Sequence, residues 1–279
     1  MRIALMADIH GNLPALESVM KGMKKHAPDK IISLGDQVNL GPSPREVLAL
    51  LKAEGVDCLH GNHERYLLSA MQGDPAYAGA NFNALRFGAQ ILKADEITFP
   101  KEIRMGSTIF CHALPQDDRF PVYDARKALP LLREMHFPQN THILCGHGHN
   151  PTHIAMGSLS IDSIGSVGCM DDGVPGTAPF AILDIERDAS FLRPYYVHYD
   201  ASAIKPLFIK SGMADYCPIM AHIISLQMAH NIDIICGFVD RAWILARDKG
   251  ETTITEATWK ETDAAYPWPD GVSTAEYWR

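Results

Sequence analysis

Five short apolar segments of the sequence share one form, because each is a run of large aliphatic residues that stops abruptly in polar ones. These segments are 2–8, 30–36, 56–62, 107–113 and 142–147. Runs of this length that are rich in Ile, Leu and Val, and are bounded by Gly, Pro or Asn, are typical of buried strands. The sequence therefore predicts five strands with polar side chains at their carboxyl ends.

Amphipathic segments separate these strands. Segment 13–25 carries its apolar residues on one helical face, with Asn12 as the N-cap and Pro14 in the first turn. Segment 44–54 repeats the apolar spacing after the second predicted strand. Alternation of strand and helix implies parallel strands with right-handed crossovers. The first half of the chain is therefore expected to form a layered α/β sheet.

The pattern changes after Thr152, where three further strands follow one another. They are predicted at 159–164, 179–186 and 190–199, the last two joined by a short polar turn at 187–189. Consecutive strands with short connections pair antiparallel. We therefore expect these three strands to form a second, partly antiparallel sheet.

The remaining chain has helical character. Helices are predicted at 201–210, 219–230 and 233–249, and the Pro-, Trp- and Tyr-rich end at 266–279 is expected to lie over the surface. No segment between these elements has the composition of a linker. We predict a main domain over 1–212 and a helical C-terminal extension over 213–279, packed on that domain or at an interface in a homo-oligomer.

Composition excludes several classes of protein. Hydrophobic residues make up 47% and charged residues 21% of the 279 residues, which excludes a wholly disordered chain. The net charge of −8 argues against general nucleic-acid binding. No apolar run reaches membrane-spanning length, and the six cysteines stand singly, as expected of free buried thiols in a reducing compartment. We expect a cytoplasmic protein without membrane contact.

Every one of the first five strands ends in residues that can bind a metal ion. One such His would most often be a structural residue, but unpaired buried Asp and His at five strand ends would be costly. Ligands of α/β sheets bind outside the carboxyl ends of the strands. Carboxylates and imidazoles without thiolates suit Mn²⁺, Fe²⁺ or Zn²⁺. The candidates exceed the needs of one tetrahedral ion and suffice for two: Asp8, His10, Asp36, Asn62, His112, His147 and His149.

Five motifs in this order resemble the calcineurin-like metallophosphoesterase superfamily. The family pattern runs D-x-H, G-D-x-x, G-N-H-[ED], H and G-H-x-H. In this chain the motifs are Asp8-Ile9-His10, Gly35-Asp36-Gln37-Val38, Gly61-Asn62-His63-Glu64, His112 and Gly146-His147-Gly148-His149. The resemblance implies a four-layer αββα sandwich of two mixed β-sheets flanked by helices. A looser likeness to the small bacterial phosphodiesterase branch extends to about residue 199.

The resemblance also implies a role for each motif residue. Asp8, His10 and His149 would hold one metal ion, Asn62, His112 and His147 the other, and Asp36 would bridge the two. His63 would face the substrate as an acid or charge stabiliser; its alternative role is to orient a ligand carboxylate. The resemblance offers Asn12 as a phosphate contact, and a helix cap explains that residue equally well.

Three positions depart from the family pattern. Asn39 and Leu40 stand where protein Ser/Thr phosphatases carry an Arg that grips phosphate, which argues against that branch. Ala113 and Leu114 replace the Gly-Ser that usually follows the fourth-motif His in the small bacterial enzymes. Asp171 stands where those enzymes often have an Arg. These departures bear on which substrate is bound, and none of them replaces a candidate metal ligand.

Together these features predict a metal-dependent phosphoesterase. Two divalent ions (Mn, Fe, Zn or Ni) would activate a hydroxide for in-line attack on a phosphodiester or phosphomonoester, with a small, nucleotide-like phosphorylated substrate. A dinucleoside polyphosphate hydrolase and a protein phosphatase are the enzymatic alternatives. A catalytically idle scaffold, motivated by the C-terminal helices, is the alternative from another class.

Overall fold

Ten strands and eleven helices make up the protein in a computed structural model that describes residues 1–186 and 190–279. The strands are β1 (Arg2–Met6), β2 (Lys30–Ser33), β3 (Asp57–Cys58), β4 (Glu102–Met105), β5 (Thr108–Cys111), β6 (His142–Cys145), β7 (Thr152–Met156), β8 (Leu159–Ser163), β9 (Thr177–Ile185) and β10 (Ser190–His198). The helices are α1 (Leu13–Lys24), α2 (Pro44–Ala53), α3 (Asn62–Met71), α4 (Asn83–Ile91), α5 (Ala125–Arg133), α6 (Ile204–Lys210), α7 (Met213–Tyr216), α8 (Pro218–His230), α9 (Ile235–Asp248), α10 (Glu256–Ala265) and α11 (Thr274–Tyr277).

The strands form two mixed five-stranded sheets. The first sheet has the order β10-β9-β1-β2-β3, and the second has the order β4-β5-β6-β8-β7. Parallel pairs occupy the middle of each sheet, β1 with β2 and β5 with β6, while β9 and β7 pair antiparallel with their neighbours. The predicted class, two mixed sheets flanked by helices, is confirmed.

The alternation of side chains along the central strands explains the four layers. Ile3 and Leu5 of β1 pack with Phe110 of β5 and Leu144 of β6 between the two sheets. Met6, on the opposite face of β1, packs with the apolar face of α1. Successive side chains of a strand point to opposite faces, so a strand apolar at every position is buried on both sides.

The assignment of strands to sheets was predicted wrongly. The strands predicted at 179–186 and 190–199 belong to the first sheet, where β9 pairs antiparallel with β1. The strands predicted at 107–113 and 142–147 belong to the second sheet, beside β8. Both sheets thus contain parallel motif-bearing strands. The turn predicted at 187–189 lies outside the described residues.

Several elements differ from their predicted extent. Only Asp57–Cys58 of the segment 56–62 is strand, because α3 begins at Asn62. The predicted helices at 13–25, 44–54, 219–230 and 233–249 are present with ends shifted by one or two residues, whereas 201–210 is helical from Ile204 after a 3-10 turn. Two strands, β4 and β7, and six helices, α3, α4, α5, α7, α10 and α11, were not predicted.

The C-terminal helices pack on the main domain. α8 is buried around most of its circumference, and Ile223 and Ile224 share one apolar core with Met6 of β1. The final segment 266–279 is more deeply packed than predicted, since Trp268 and Tyr277 stack on the two sides of the fully buried His222 ring at 4.0 Å between centroids. The boundary at residue 212 stays a prediction.

Two further predictions concerned the state of the cysteines and the lack of a membrane-spanning segment. All six cysteines are free; four are buried, Cys58 is half-buried and Cys236 is exposed, so free thiols are present although not all of them are buried. Within the described part of the chain, no helix combines the length and apolar character needed to cross a membrane.

Candidate metal centre

The carboxyl ends of strands from both sheets converge on one site. From the first sheet, Asp8 and His10 follow β1 and Asp36 follows β2, while Asn62 opens α3. From the second sheet, His112 follows β5, and His147 and His149 follow β6. Two parallel sheet regions that point their carboxyl ends to the same side therefore assemble a site that neither could form alone.

Four of these residues have a left-handed backbone. The φ angles are 52° at Asp8, 51° at His10, 56° at Asp36 and 61° at His147. Non-glycine residues in this region cost about 1–3 kcal/mol each and persist only where the surrounding structure holds them. The left-handed backbone thus recurs at four of the seven candidate ligands, in the turns that follow β1, β2 and β6.

A first group of donor atoms comes from Asp8, His10 and His149. The Nε2 atoms of His10 and His149 lie 3.3 Å apart, and His10 Nε2 lies 3.9 Å from Asp8 Oδ1. Asp8 is held by its other oxygen, which accepts a hydrogen bond from the backbone N–H of His147 at 2.9 Å. These three residues can each offer one ligand atom within 4.8 Å of the others.

A second group comes from Asn62, His112 and His147. Asn62 Oδ1 lies 2.8 Å from His112 Nε2 and 3.0 Å from His147 Nδ1. His112 Nδ1 donates to the carbonyl of Leu34 at 2.9 Å, which fixes the ring with Nε2 towards the site. A backbone partner of this kind sets the tautomer that a histidine ligand needs.

Asp36 lies between the two groups. Its Oδ2 is 3.3 Å from His112 Nε2 and 4.0 Å from His10 Nε2. Its Oδ1 accepts the backbone N–H of His63 at 2.8 Å, so the carboxylate is oriented from behind. The structure thus brings all seven predicted ligands together; their assignment to particular ions stays a prediction.

Two histidines of the site, His147 and His149, are held in the neutral form that binds metal ions. Burial lowers the pKa of His147 to about 3 and that of His149 to about 4, and neighbouring rings act in the same direction. Burial opposes a charge on His112 as well, but the carboxylate of Asp36 outweighs it and raises the pKa of His112 to about 10. Positive charge beside Asp36 is therefore favoured at this place, 3.3 Å from its Oδ2.

The buried carboxylate of Asp8 tests whether the donor set fits a cation. Burial raises the pKa of Asp8 to about 8, and its Oδ1 has no hydrogen-bond partner among the described residues. A buried carboxylate oxygen without a donor is costly unless a cation takes that place. Asp8, His10, Asp36, His63 and His112 form overlapping groups that can hold a metal ion, so the donor set fits divalent metals.

His63 is partly exposed at the site, and its role as an acid or charge stabiliser stays a prediction. Its side chain is 19% exposed, whereas the rings of His10 and His112 are almost fully buried. His63 Nε2 is 3.9 Å from Asp36 Oδ2, which also makes the ring a candidate ligand. Asn39, which sequence reasoning noted only as a departure from the family, places Nδ2 2.8 Å from His63 Nδ1.

Asn12, predicted as a helix cap or a phosphate contact, is bonded within the protein, and its phosphate contact stays a prediction. Its side chain is fully buried; Oδ1 accepts the backbone N–H of Ala15 at 3.2 Å, and Nδ2 donates to the carbonyl of Gly168 at 3.1 Å. Both ends of the amide are therefore engaged within the protein. The structure makes Asn12 a helix cap that also ties α1 to the loop after β8.

Sequence reasoning missed the role of Glu64. This residue is fully buried, and its carboxylate accepts backbone N–H groups of Asp36, Gln37, Val38 and Gly61 at 2.8–3.3 Å. It therefore holds the turn that presents Asp36. The signal was present in the sequence, since an acidic residue three positions after Gly61 marks a capping arrangement at the start of a helix.

Glycines of the motifs allow the close approach of the ligand loops. A Cβ atom at Gly61 would collide with the carboxylate of Asp36, and one at Gly146 would collide with that of Asp8. Each glycine belongs to a loop from a different strand than the carboxylate it faces. The absence of a side chain at these two positions is therefore a packing requirement of the site.

Comparison with known proteins agrees with this geometry. Residues 1–173 match the family model described as calcineurin-like phosphoesterase. An uncharacterized protein of Methanocaldococcus jannaschii is 26% identical over 239 residues, which cover 77% of this chain and 94% of that protein.

Two solved structures are similar over most of the chain. The crystal structure of a metallophosphoesterase from Sphaerobacter thermophilus has a TM-score of 0.63 and 25% identity, covering 83% of this chain and all of that one. A hypothetical protein from Pyrococcus horikoshii has a TM-score of 0.62 and 17% identity over 83% of this chain and 99% of its own, a likeness of fold. The family match spans more than half of the chain and includes every candidate ligand, so this chain belongs to the calcineurin-like phosphoesterase family and is a metal-dependent phosphoesterase, a hydrolase.

Proposed function

We propose that this enzyme hydrolyses phosphodiester bonds of small, nucleotide-like substrates at a centre of two divalent ions, with phosphomonoesters as a second substrate class. The proposal depends on the convergence of seven residues with oxygen or nitrogen donors, six of them grouped around Asp36. Seven donors exceed the needs of one tetrahedral ion. A donor set rich in imidazole favours Mn²⁺, Fe²⁺, Zn²⁺ or Ni²⁺ over Mg²⁺ or Ca²⁺.

Bound ions would supply a nucleophilic hydroxide and neutralise charge on the phosphoryl oxygens. Asp8, His10 and His149 would hold one ion, Asn62, His112 and His147 the other, with Asp36 shared. Glu64 keeps the Asp36 turn in place through backbone hydrogen bonds, and the backbone N–H of His63 orients the Asp36 carboxylate. The chain's own contribution is thus a rigid frame of oriented donors.

His63 has the position to assist the leaving group. When the amide nitrogen of Asn39 donates to Nδ1, the proton of the neutral ring lies on Nε2. Burial lowers the pKa of His63, so the ring is neutral near pH 7 and donates a hydrogen bond from Nε2. That atom faces the same space as Asp36 Oδ2, at 3.9 Å. His63 would therefore stabilise negative charge that develops on the leaving oxygen.

Tyr123 supports a nucleotide-like substrate. Its ring is 52% exposed, and the centroid lies 6.0 Å from that of His147. Val122 beside it is fully buried, and its carbonyl accepts from Thr152 Oγ1 at 2.8 Å, so the aromatic ring projects from an anchored backbone. An exposed aromatic ring beside a ligand offers a stacking surface for a planar base.

Hydrolysis assays with aryl phosphodiesters and phosphomonoesters in added Mn²⁺ test the proposal. The wild-type chain should favour the diester, and His63→Ala should retain its metal while kcat falls by roughly 10²–10⁴. The loss should shrink for acidic leaving groups, which need less stabilisation. Absence of hydrolysis by metal-loaded protein on both classes would contradict the proposed function, and loss of metal from His63→Ala would instead make His63 a ligand.

A further inference from the structure

A polar cavity adjoins the candidate metal centre on the side of His112. It has a volume of about 230 Å³, and the ring of His112 forms part of its wall. The remaining wall comes from the segment after β5, from the start of α3 and from the segment before β4. Its ionisable residues other than His are Arg65, Lys101, Asp117, Asp118 and Arg119.

The two acidic residues of the cavity are engaged by protein donors. Both oxygens of Asp118 accept from Arg65, from Nε at 2.7 Å and from Nη2 at 2.8 Å. Asp117 Oδ1 accepts the backbone N–H of Arg119 at 2.9 Å. These contacts offset the negative charge locally, and the fork of Arg65 is held by its carboxylate partner.

Two cationic side chains of the cavity wall, unlike Arg65, have no carboxylate partner among the described residues. In the parts of the chain that the structure describes, neither the Lys101 ammonium nor the Arg119 guanidinium forms an ion pair or a side-chain hydrogen bond. Three cationic side chains thus face the cavity against two carboxylates, of which Asp118 is fully paired with Arg65 and Asp117 has one oxygen bonded to a backbone N–H. The excess positive charge lies directly beside a metal ligand.

The segment that forms this wall is anchored in the fold. Leu114 and Asp117 exchange two backbone hydrogen bonds at 3.0 and 3.2 Å, and Phe120 is buried in the core against α5. Arg65 comes two positions after His63 on α3, so one helix contributes both to the wall of the cavity and to the metal centre. An anchored cationic wall favours one place for an anion over a diffuse attraction.

We propose that this cavity binds a second phosphate group of the substrate while the first phosphate occupies the metal centre. The inference rests on the proposed function and narrows it: the enzyme prefers substrates that carry two phosphate groups over those that carry one. Lys101 and Arg119 supply the charge that selects such substrates, and the Arg65–Asp118 pair positions the wall. The proposal covers both polyphosphates, in which the groups are directly linked, and bisphosphates, in which they are separate.

Calorimetric titration with inorganic phosphate and inorganic pyrophosphate tests the cavity without any need for turnover. Metal-loaded wild-type protein should bind pyrophosphate more tightly than phosphate, by about tenfold or more. The double variant Lys101→Ala/Arg119→Ala should lose most of this ratio. The control Arg126→Ala/Arg133→Ala removes the same charge from the exposed face of α5 and should keep it.

Kinetics separate the two kinds of substrate. In the Lys101→Ala/Arg119→Ala variant, kcat/KM should fall at least about tenfold more for a nucleoside diphosphate or a nucleoside 3′,5′-bisphosphate than for a nucleoside monophosphate ester, mainly through KM. If kcat/KM falls further for the diphosphate, the two phosphates are directly linked in the preferred substrate; if it falls further for the bisphosphate, they are separate. An unchanged pyrophosphate-to-phosphate ratio in the double variant, or an equal change in the control, would overturn the proposal even if hydrolysis itself is observed.

Discussion

Glu64 offers the sharpest test of how the metal centre is built, through the substitution Glu64→Gln. The glutamine keeps the shape of the side chain but replaces one acceptor oxygen by an amide group that donates. Each carboxylate oxygen accepts two backbone N–H groups: Oε2 those of Asp36 and Gly61 at 2.9 Å, and Oε1 those of Gln37 at 2.8 Å and Val38 at 3.3 Å. Whichever way the amide turns, two N–H groups then face a donor.

The magnitude follows from these contacts. Hydrogen bonds to a charged group contribute about 1.5–3 kcal/mol each, so losing two should cost about 3–6 kcal/mol of unfolding free energy. That is a large part of the roughly 5–15 kcal/mol that stabilises a typical protein. At about 2–4 °C per kcal/mol, Tm should fall by at least about 6 °C. The Asp36 turn should also loosen, since its backbone N–H loses its partner.

Thermal unfolding and elemental analysis measure both effects. Glu64→Gln should melt earlier and contain less Mn²⁺ after dialysis than wild type, because the Asp36 carboxylate is no longer held between the two groups of donors. Glu17→Gln, on the exposed face of α1, is the matched control and should change neither quantity. A Glu64→Gln protein with wild-type Tm and metal content would refute the view that this carboxylate supports the site.

Three further predictions concern the bridge, the C-terminal packing and the extension. If Asp36 bridges two ions as proposed, Asp36→Asn removes the charge that they share, and elemental analysis should find well below two metals per chain; full occupancy would contradict bridging. Burial lowers the pKa of His222 to about 4, so between pH 6.5 and 4 the unfolded chain binds more protons, and stability should fall on acidification by up to about 3 kcal/mol. Urea titrations should show that His222→Gln weakens this pH dependence. Ending the chain after Gly212 exposes the core that Ile223 and Ile224 complete, so we expect aggregated protein; a soluble, cooperatively unfolding product would show that the extension is separable.

The sequence predicted those elements in which the spacing of apolar residues along the segment reflects which side chains are buried. β1 is apolar at every position from Ile3 to Met6, and α1 has both its cap and its apolar face, so each could be recognised alone. The candidate ligands were also local, since each follows a recognisable strand or opens a motif. β7 was missed because its middle residue alone is buried and exposed residues flank it, which leaves little alternation to detect.

The partition into two sheets had no local signal. β5 pairs with β6, and β1 pairs with β2 and β9, through backbone hydrogen bonds that any apolar strand could form. The choice depends on which faces meet, as Ile3 and Leu5 meet Phe110, and this is a property of the assembled core. The role of Glu64 depended likewise on loops from β2 and α3 meeting in space, although the residue stood within a motif.

Because the donors come from both sheets, ions bound at this site would cross-link the two halves of the sandwich at one end. Asp8 and Asp36 belong to one sheet, and His112, His147 and His149 to the other, so separating the sheets and releasing the metal are the same event. By mass action, each ion at a hundred times its dissociation constant would add about 2.7 kcal/mol to the free energy of unfolding. Removing the metal with a chelator would then lower the free energy of unfolding as well as the rate of hydrolysis.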